Sequence, residues 1–137
     1  MKISHHNLLV ELNDHWWAEA DMAEFVPKFK FYRTPSNYKD QQVYEVSIED
    51  VGPVCRASIF KDDAEVERQT ARERVLRLLR GFRADDAIPP VEVVVAPPGY
   101  GYRYKLTHGA HRLYCSLAAG FTHVPAVDGF EWETLDR

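Results

Sequence analysis

Residues 102–127, YRYKLTHGAHRLYCSLAAGFTHVPAV, decide the fold. Tyr102-Arg103-Tyr104-Lys105-Leu106 alternates polar and apolar side chains, as a half-buried strand does. After Gly109 the apolar period lengthens to a helical one through Leu113, Leu117 and Ala118, and Gly120 stands where a C-terminal cap belongs. Val124-Pro125-Ala126-Val127 reads as a last short strand, and its proline places it at a sheet edge or at a strand's first residue. Between strand and helix lies Thr107-His108-Gly109-Ala110-His111-Arg112. A glycine at that switch allows a tight turn and close approach of a ligand to the backbone. The first amides of the helix have no partner within it and sit at the positive end of its dipole. His111 and Arg112 add side-chain donors, and an arginine can grip two phosphate oxygens at once. The pattern predicts an anion site at a helix N-terminus, with phosphate as its ligand.

Working upstream, Pro97-Pro98-Gly99 is a turn, and Val91-Glu92-Val93-Val94-Val95 before it is a β-branched run suited to a central strand. A helix is expected from Asp62, where Glu65 completes a capping-box spacing, to about Arg80, with Gly81 as its stop. Its apolar stripe is Ala71, Val75, Leu78, Leu79 and Phe82; Arg68, Arg72, Arg74, Arg77 and Arg80 lie between. Those arginines read as a solvated face rather than a nucleic-acid stripe. Val43 to Ile48 alternates and is a half-buried strand broken by Gly52-Pro53. Residues 1–42 form an aromatic and histidine-rich extension that packs its tryptophans on the core, with a short helix over 15–25 closed by Pro27. Residues 128–137 are an acidic tail around Trp132. The expected core is Val46, Ile48, Val75, Leu79, Val93, Val95, Leu106, Leu113 and Leu117.

Together these residues resemble the ParB/sulfiredoxin-like superfamily over residues 43–127. The ParB N-terminal domain has Gly-Glu-Arg-Arg between its strand and helix, and sulfiredoxins have Gly-Cys-His-Arg; Gly109-Ala110-His111-Arg112 is similar to both. Ala119-Gly120 followed by Val124-Pro125 matches the ParB-type ending. Val46 to Val51 looks like the family's first strand, with Arg56 near the family's arginine position. The resemblance implies an α/β (α+β) fold, a small mixed sheet with packed helices. It implies a nucleotide-phosphate site built from Thr107, His108, Gly109, Ala110, His111, Arg112 and Arg56, taking a nucleoside triphosphate with Mg2+. NTPase or phosphoryl-transfer activity is what such a site serves in the superfamily, but no catalytic residue is assigned here. Ala110 stands where sulfiredoxins have their cysteine nucleophile, so sulfinic acid reduction is not expected. Ala110 and His111 replace the ParB glutamate and first arginine, which argues against CTP switching. The ten residues after Val127 leave no room for the ParB helix-turn-helix, so DNA binding by that route is not expected. The alternative is a non-enzymatic regulator that binds DNA or a protein through the arginine-rich helix.

The totals set limits. The chain has 137 residues, long enough for one core, with a formal charge of −4, so no global positive field gathers nucleic acid. Two cysteines, Cys55 and Cys115, are too few for a disulfide framework and are expected as small buried hydrophobes. His111 and Cys115 are four apart on a helix, but no further ligand completes a metal-binding spacing. Neither a signal peptide nor a run of about 18 apolar residues is present, so a cytoplasmic protein without membrane contact is expected. Protein partners and oligomeric state are left open.

Overall fold

The computed structural model describes residues 1–54, 60, 65–66 and 69–129. The chain opens with a hairpin, β1 (Lys2–His5) against β2 (Leu8–Glu11), turned at His6 and Asn7, both at positive φ. A two-residue turn of that kind matches the twist of the strands it joins. A short helix follows, α1 (Asp14–Glu19), whose N-cap Asn13 accepts the amide of His15 at 2.8 Å. It is six residues long, not the eleven expected over 15–25. Next come the small hairpin β3 (Asn37–Tyr38) and β4 (Gln41–Gln42), then β5 (Tyr44–Ser47) and a 3-10 turn over Ile48–Asp50.

A third hairpin, β6 (Glu65–Val66) with β7 (Gln69–Thr70), leads into α2 (Ala71–Ala84). Here the sequence expectation is corrected. Glu65 is in a strand, the helix is capped by Thr70, whose Oγ1 accepts the amide of Glu73 at 3.1 Å, and Asp62 lies outside the described residues. The helix also runs past Gly81 and ends at Asp85, which takes φ 57°. Gly81 is buried inside it, and a Cβ there would lie 2.9 Å from Ile88 Cδ1, so the glycine admits the returning chain rather than ending the helix.

The remaining elements are β8 (Val91–Val95), β9 (Tyr104–His108), α3 (Ala110–Ala119) and β10 (His123–Asp128). β9 begins and ends two residues later than the alternating run Tyr102–Leu106, so Thr107 and His108 lie inside the strand. Four strands form one mixed sheet in the order β5-β10-β8-β9. The β8–β10 pair is parallel and the other two are antiparallel. β10 is therefore central, not an edge, and Pro125 lies in its middle opposite Glu45. The amide of Ile48 donates to Thr122 O at 3.0 Å. By the alternation of an antiparallel ladder, Pro125 then falls at a non-hydrogen-bonded pair, its nitrogen turned towards β8. The β8 ladder starts only at Val91 opposite Ala126, so the missing amide forfeits no bond.

One apolar core joins sheet, helices and N-terminal residues. Val46, Val91, Val93, Val124 and Ala126 of the sheet share one buried cluster with Val75, Leu79 and Phe82 of α2 and Leu113 of α3. Ile3, Val10, Leu12, Trp16, Met22 and Tyr32 belong to the same cluster, while Trp17 is half-buried against it. The expected core holds for Val46, Ile48, Val75, Leu79, Val93 and Leu113; Leu106 and Leu117 are half-buried. Val95, the last residue of β8, is the exception at 79% exposed. Among the described residues no helix is long and apolar enough to cross a membrane.

Candidate functional site

β9 delivers the chain to α3 through one residue. Gly109 is the N-cap of α3 with φ 104°, a left-handed conformation that other residues adopt only with strain. Space adds a second demand, since a Cβ at Gly109 would lie 3.0 Å from Val91 Cγ1 and 3.3 Å from Val91 Cα. The turn is thus pressed against the first residue of β8. Leu113 N donates to Gly109 O at 2.9 Å, closing the first turn of the helix. The amides of Ala110, His111 and Arg112 lie in that turn and have no acceptor inside the helix. Gly109 brings no side chain to cap them, and no acidic residue lies in the turn to offset the dipole.

His111 and Arg112 stand at this end, both half-buried. The His111 ring lies edge-on to Phe60, centroids 5.6 Å apart. Arg112 turns back under the chain entering β8, where Nη1 donates to Pro89 O at 3.1 Å and also to Pro90 O. Pro89 O accepts the Tyr32 hydroxyl as well, at 2.7 Å. Burial raises the pKa of that phenol, and the nearby Arg112 guanidinium opposes the rise. Arg112 therefore has a structural task at the site the sequence assigned it to: it ties α3 to the start of β8.

The other expected site residues separate. Thr107 lies where the β8–β9 register slips between Glu92 and Val93, and its hydroxyl donates to Glu92 O at 3.1 Å. That bond satisfies a carbonyl the irregular ladder would leave short, so Thr107 supports the strand. His108 is exposed at the end of β9, opposite Glu92. Arg56 and Cys55 lie outside the described residues. Cys115 is fully buried, which pushes its thiol pKa well up and leaves it a core side chain.

The arginine-rich helix is partly committed to packing. Arg72 pairs with Glu19, and Arg83 with Asp21 at 3.1 Å, exposed contacts between α2 and the end of α1 and the residues after it. A cleft of about 1110 Å³ lies between this N-terminal stretch and the last turns of α2, bordered by Phe25, Phe29, Arg33, Arg80 and Phe121. No residue from Thr107 to Arg112 lines it. The cleft is bordered by side chains of both charge signs, among them Glu24, Asp85, Arg33 and Arg80, and so favours no one ligand charge. His5, one of the histidines and aromatics of the N-terminal extension, is buried, with its ring nitrogens beside Tyr114 of α3 and the carbonyl of Ile48.

Comparison with protein-family models gives no match, and no curated protein matches the chain.

Proposed function

We propose that this protein is a phosphate-binding domain of the ParB/sulfiredoxin-like kind, which holds the phosphates of a nucleotide at the N-terminus of α3. The observation that carries the reading is the start of that helix: a left-handed glycine that brings no capping side chain, no acid in the first turn, and His111 and Arg112 beside it. Backbone amides there would receive phosphate oxygens, and the glycine leaves no side chain in the way. Arg112 supplies a fixed positive charge, held in place by the carbonyls of Pro89 and Pro90. The order β5, α2, β8, β9, turn, α3, β10 is also the order the resemblance implies.

Among the described residues no group of three or more His, Cys, Asp or Glu side chains could hold a metal. Any magnesium is accordingly proposed to arrive on the nucleotide, held by its phosphates and water. No catalytic step is assigned, because binding follows from this geometry and a reaction does not.

Calorimetric titration with pyrophosphate and with a panel of nucleoside triphosphates, each with and without magnesium, tests the proposal. Saturable binding is expected, and His111→Ala should weaken it about tenfold while the melting temperature holds, the loss of one hydrogen bond to a charged group. No binding of any of these ligands to the folded protein would overturn the reading. Salt-sensitive retention on DNA in that case would favour the arginine-rich helix and its free face at Arg74, Arg77 and Arg80 instead.

A further inference from the structure

The cleft between the N-terminal stretch and the last turns of α2 takes no part in the phosphate reading, and its rim carries apolar side chains in water. Val26 is 76% exposed and Phe29 71%, and both border it. The backbone that bears them is tied down on either side. Phe25 N donates to Met22 O at 3.0 Å, and the Phe25 ring lies 6.1 Å from that of Phe121. Pro27 packs on Gly120, where a Cβ would lie 3.4 Å from the proline ring. Lys30 O accepts the amides of Thr122 and His123 at 3.1 and 3.0 Å, and Arg33 O accepts that of Ile88 at 2.9 Å. The segment is thus pinned at the entries to β10 and β8 while it holds Val26 and Phe29 outward. Apolar side chains grouped in this way on a fixed backbone mark a contact surface.

The cleft beside them supplies a complement. Tyr32, Phe82 and Phe121 line it, their rings packed on one another with centroids 5.3 to 6.5 Å apart. Projecting apolar side chains and an aromatic recess therefore lie side by side on one face. Such a face fits a copy of itself, because a two-fold rotation sets each projection over the other molecule's recess. A small molecule filling the recess would leave Val26 and Phe29, which project from its rim, in water.

Charge favours a copy over a foreign partner. On the rim, Glu19 is paired with Arg72, and Asp21 with Arg83. Lys28, Arg33 and Arg80 remain on the basic side and Glu24, Asp85 and Asp86 on the acidic, none of them in an ion pair among the described residues. A rim of one sign would select a partner of the opposite charge and repel its own copy. This one carries both signs in balance, which suits an isologous contact.

We propose that this face binds a second copy of the chain in a two-fold dimer, with Val26 and Phe29 of each protomer entering the aromatic recess of the other. No residue from Thr107 to Arg112 lines the cleft, so the dimer stands or falls apart from the phosphate reading.

Sedimentation equilibrium of the full chain, from about 1 μM to about 1 mM, tests the proposal. A reversible monomer–dimer equilibrium is expected. Phe29→Asp should raise the dissociation constant at least about a hundredfold, because each dimer loses the side chain twice. Its melting temperature should match that of the wild-type monomer, since Phe29 is exposed there. Charge reversal tests the pairing independently. Lys28→Glu with Arg80→Glu, and separately Glu24→Lys with Asp86→Lys, should each abolish self-association, and an equimolar mixture of the two should recover a heterodimer. A wild type that stays monomeric throughout overturns the proposal, as does a dimer that Phe29→Asp leaves intact or a mixture that does not associate. Binding of an apolar fluorescent dye to a monomeric wild type, lost in Phe29→Asp, would overturn it in favour of a foreign apolar partner.

Discussion

Arg112 joins two demands in one side chain. Its guanidinium closes on the carbonyls of Pro89 and Pro90, and its charge sits at the end of α3 where an anion is expected. Arg112→Ala removes a charged donor from one exposed and one partly buried carbonyl, so unfolding in urea should show a loss of about 1.5 kcal/mol, the low end for a bond to a charged group. Tyr32 still donates to Pro89 O in that variant, which limits the damage. Arg112→Lys should recover less than half of the loss, because an ammonium keeps the charge without the planar fork. An Arg112→Ala variant as stable as the wild type would show that these carbonyl bonds carry no weight. Affinity for pyrophosphate, measured on the same variants, then isolates the part of the effect that belongs to the ligand.

Elements were legible where the residue pattern and the backbone requirement coincide. β8 is a run of β-branched residues and occurs as read; α3 lies between Gly109 and Gly120, both at positive φ, and occurs as read. The hairpins at His6-Asn7 and Lys39-Asp40 were not legible, because their left-handed turns use no glycine. The start of α2 was misplaced because Asp62…Glu65 and Thr70…Glu73 share one spacing, and only the fold chooses between them. The second cap is the one whose geometry is seen, so Thr70→Ala should cost about 1 kcal/mol, read as a lowered melting temperature. At the site, Gly109 and the helix end were legible from sequence. The partners of Arg112 were not, because they are backbone carbonyls some twenty residues away whose positions leave no trace in side-chain identity.

At the scale of the whole molecule, the N-terminal residues are part of the core rather than a cover on it. Leu12, Trp16, Ala20, Met22 and Tyr32 are buried in the same cluster as the sheet. Removing residues 1–34 would uncover that cluster, and each large side chain contributes about 1.5–3 kcal/mol by its burial. The truncated chain should bind a hydrophobic dye and melt without a cooperative transition; a sharp melt at the wild-type temperature would show the remainder to be self-sufficient. The exposed ion pairs Arg72–Glu19 and Arg83–Asp21 contribute far less, being screened by water.

The sheet's order in space also runs against its order in time. β10 lies between β5 and β8, yet it is synthesised after both. Until it arrives, β5 and β8 each hold an unpaired edge, and the gap between them can be filled by any extended segment. Closing it joins Val46 to Val124 across more than seventy residues, a loop whose entropy must be lost before its contacts form. Folding is therefore slow relative to that of a helical protein of this length, and the interval before β10 inserts is when a foreign strand competes for its place.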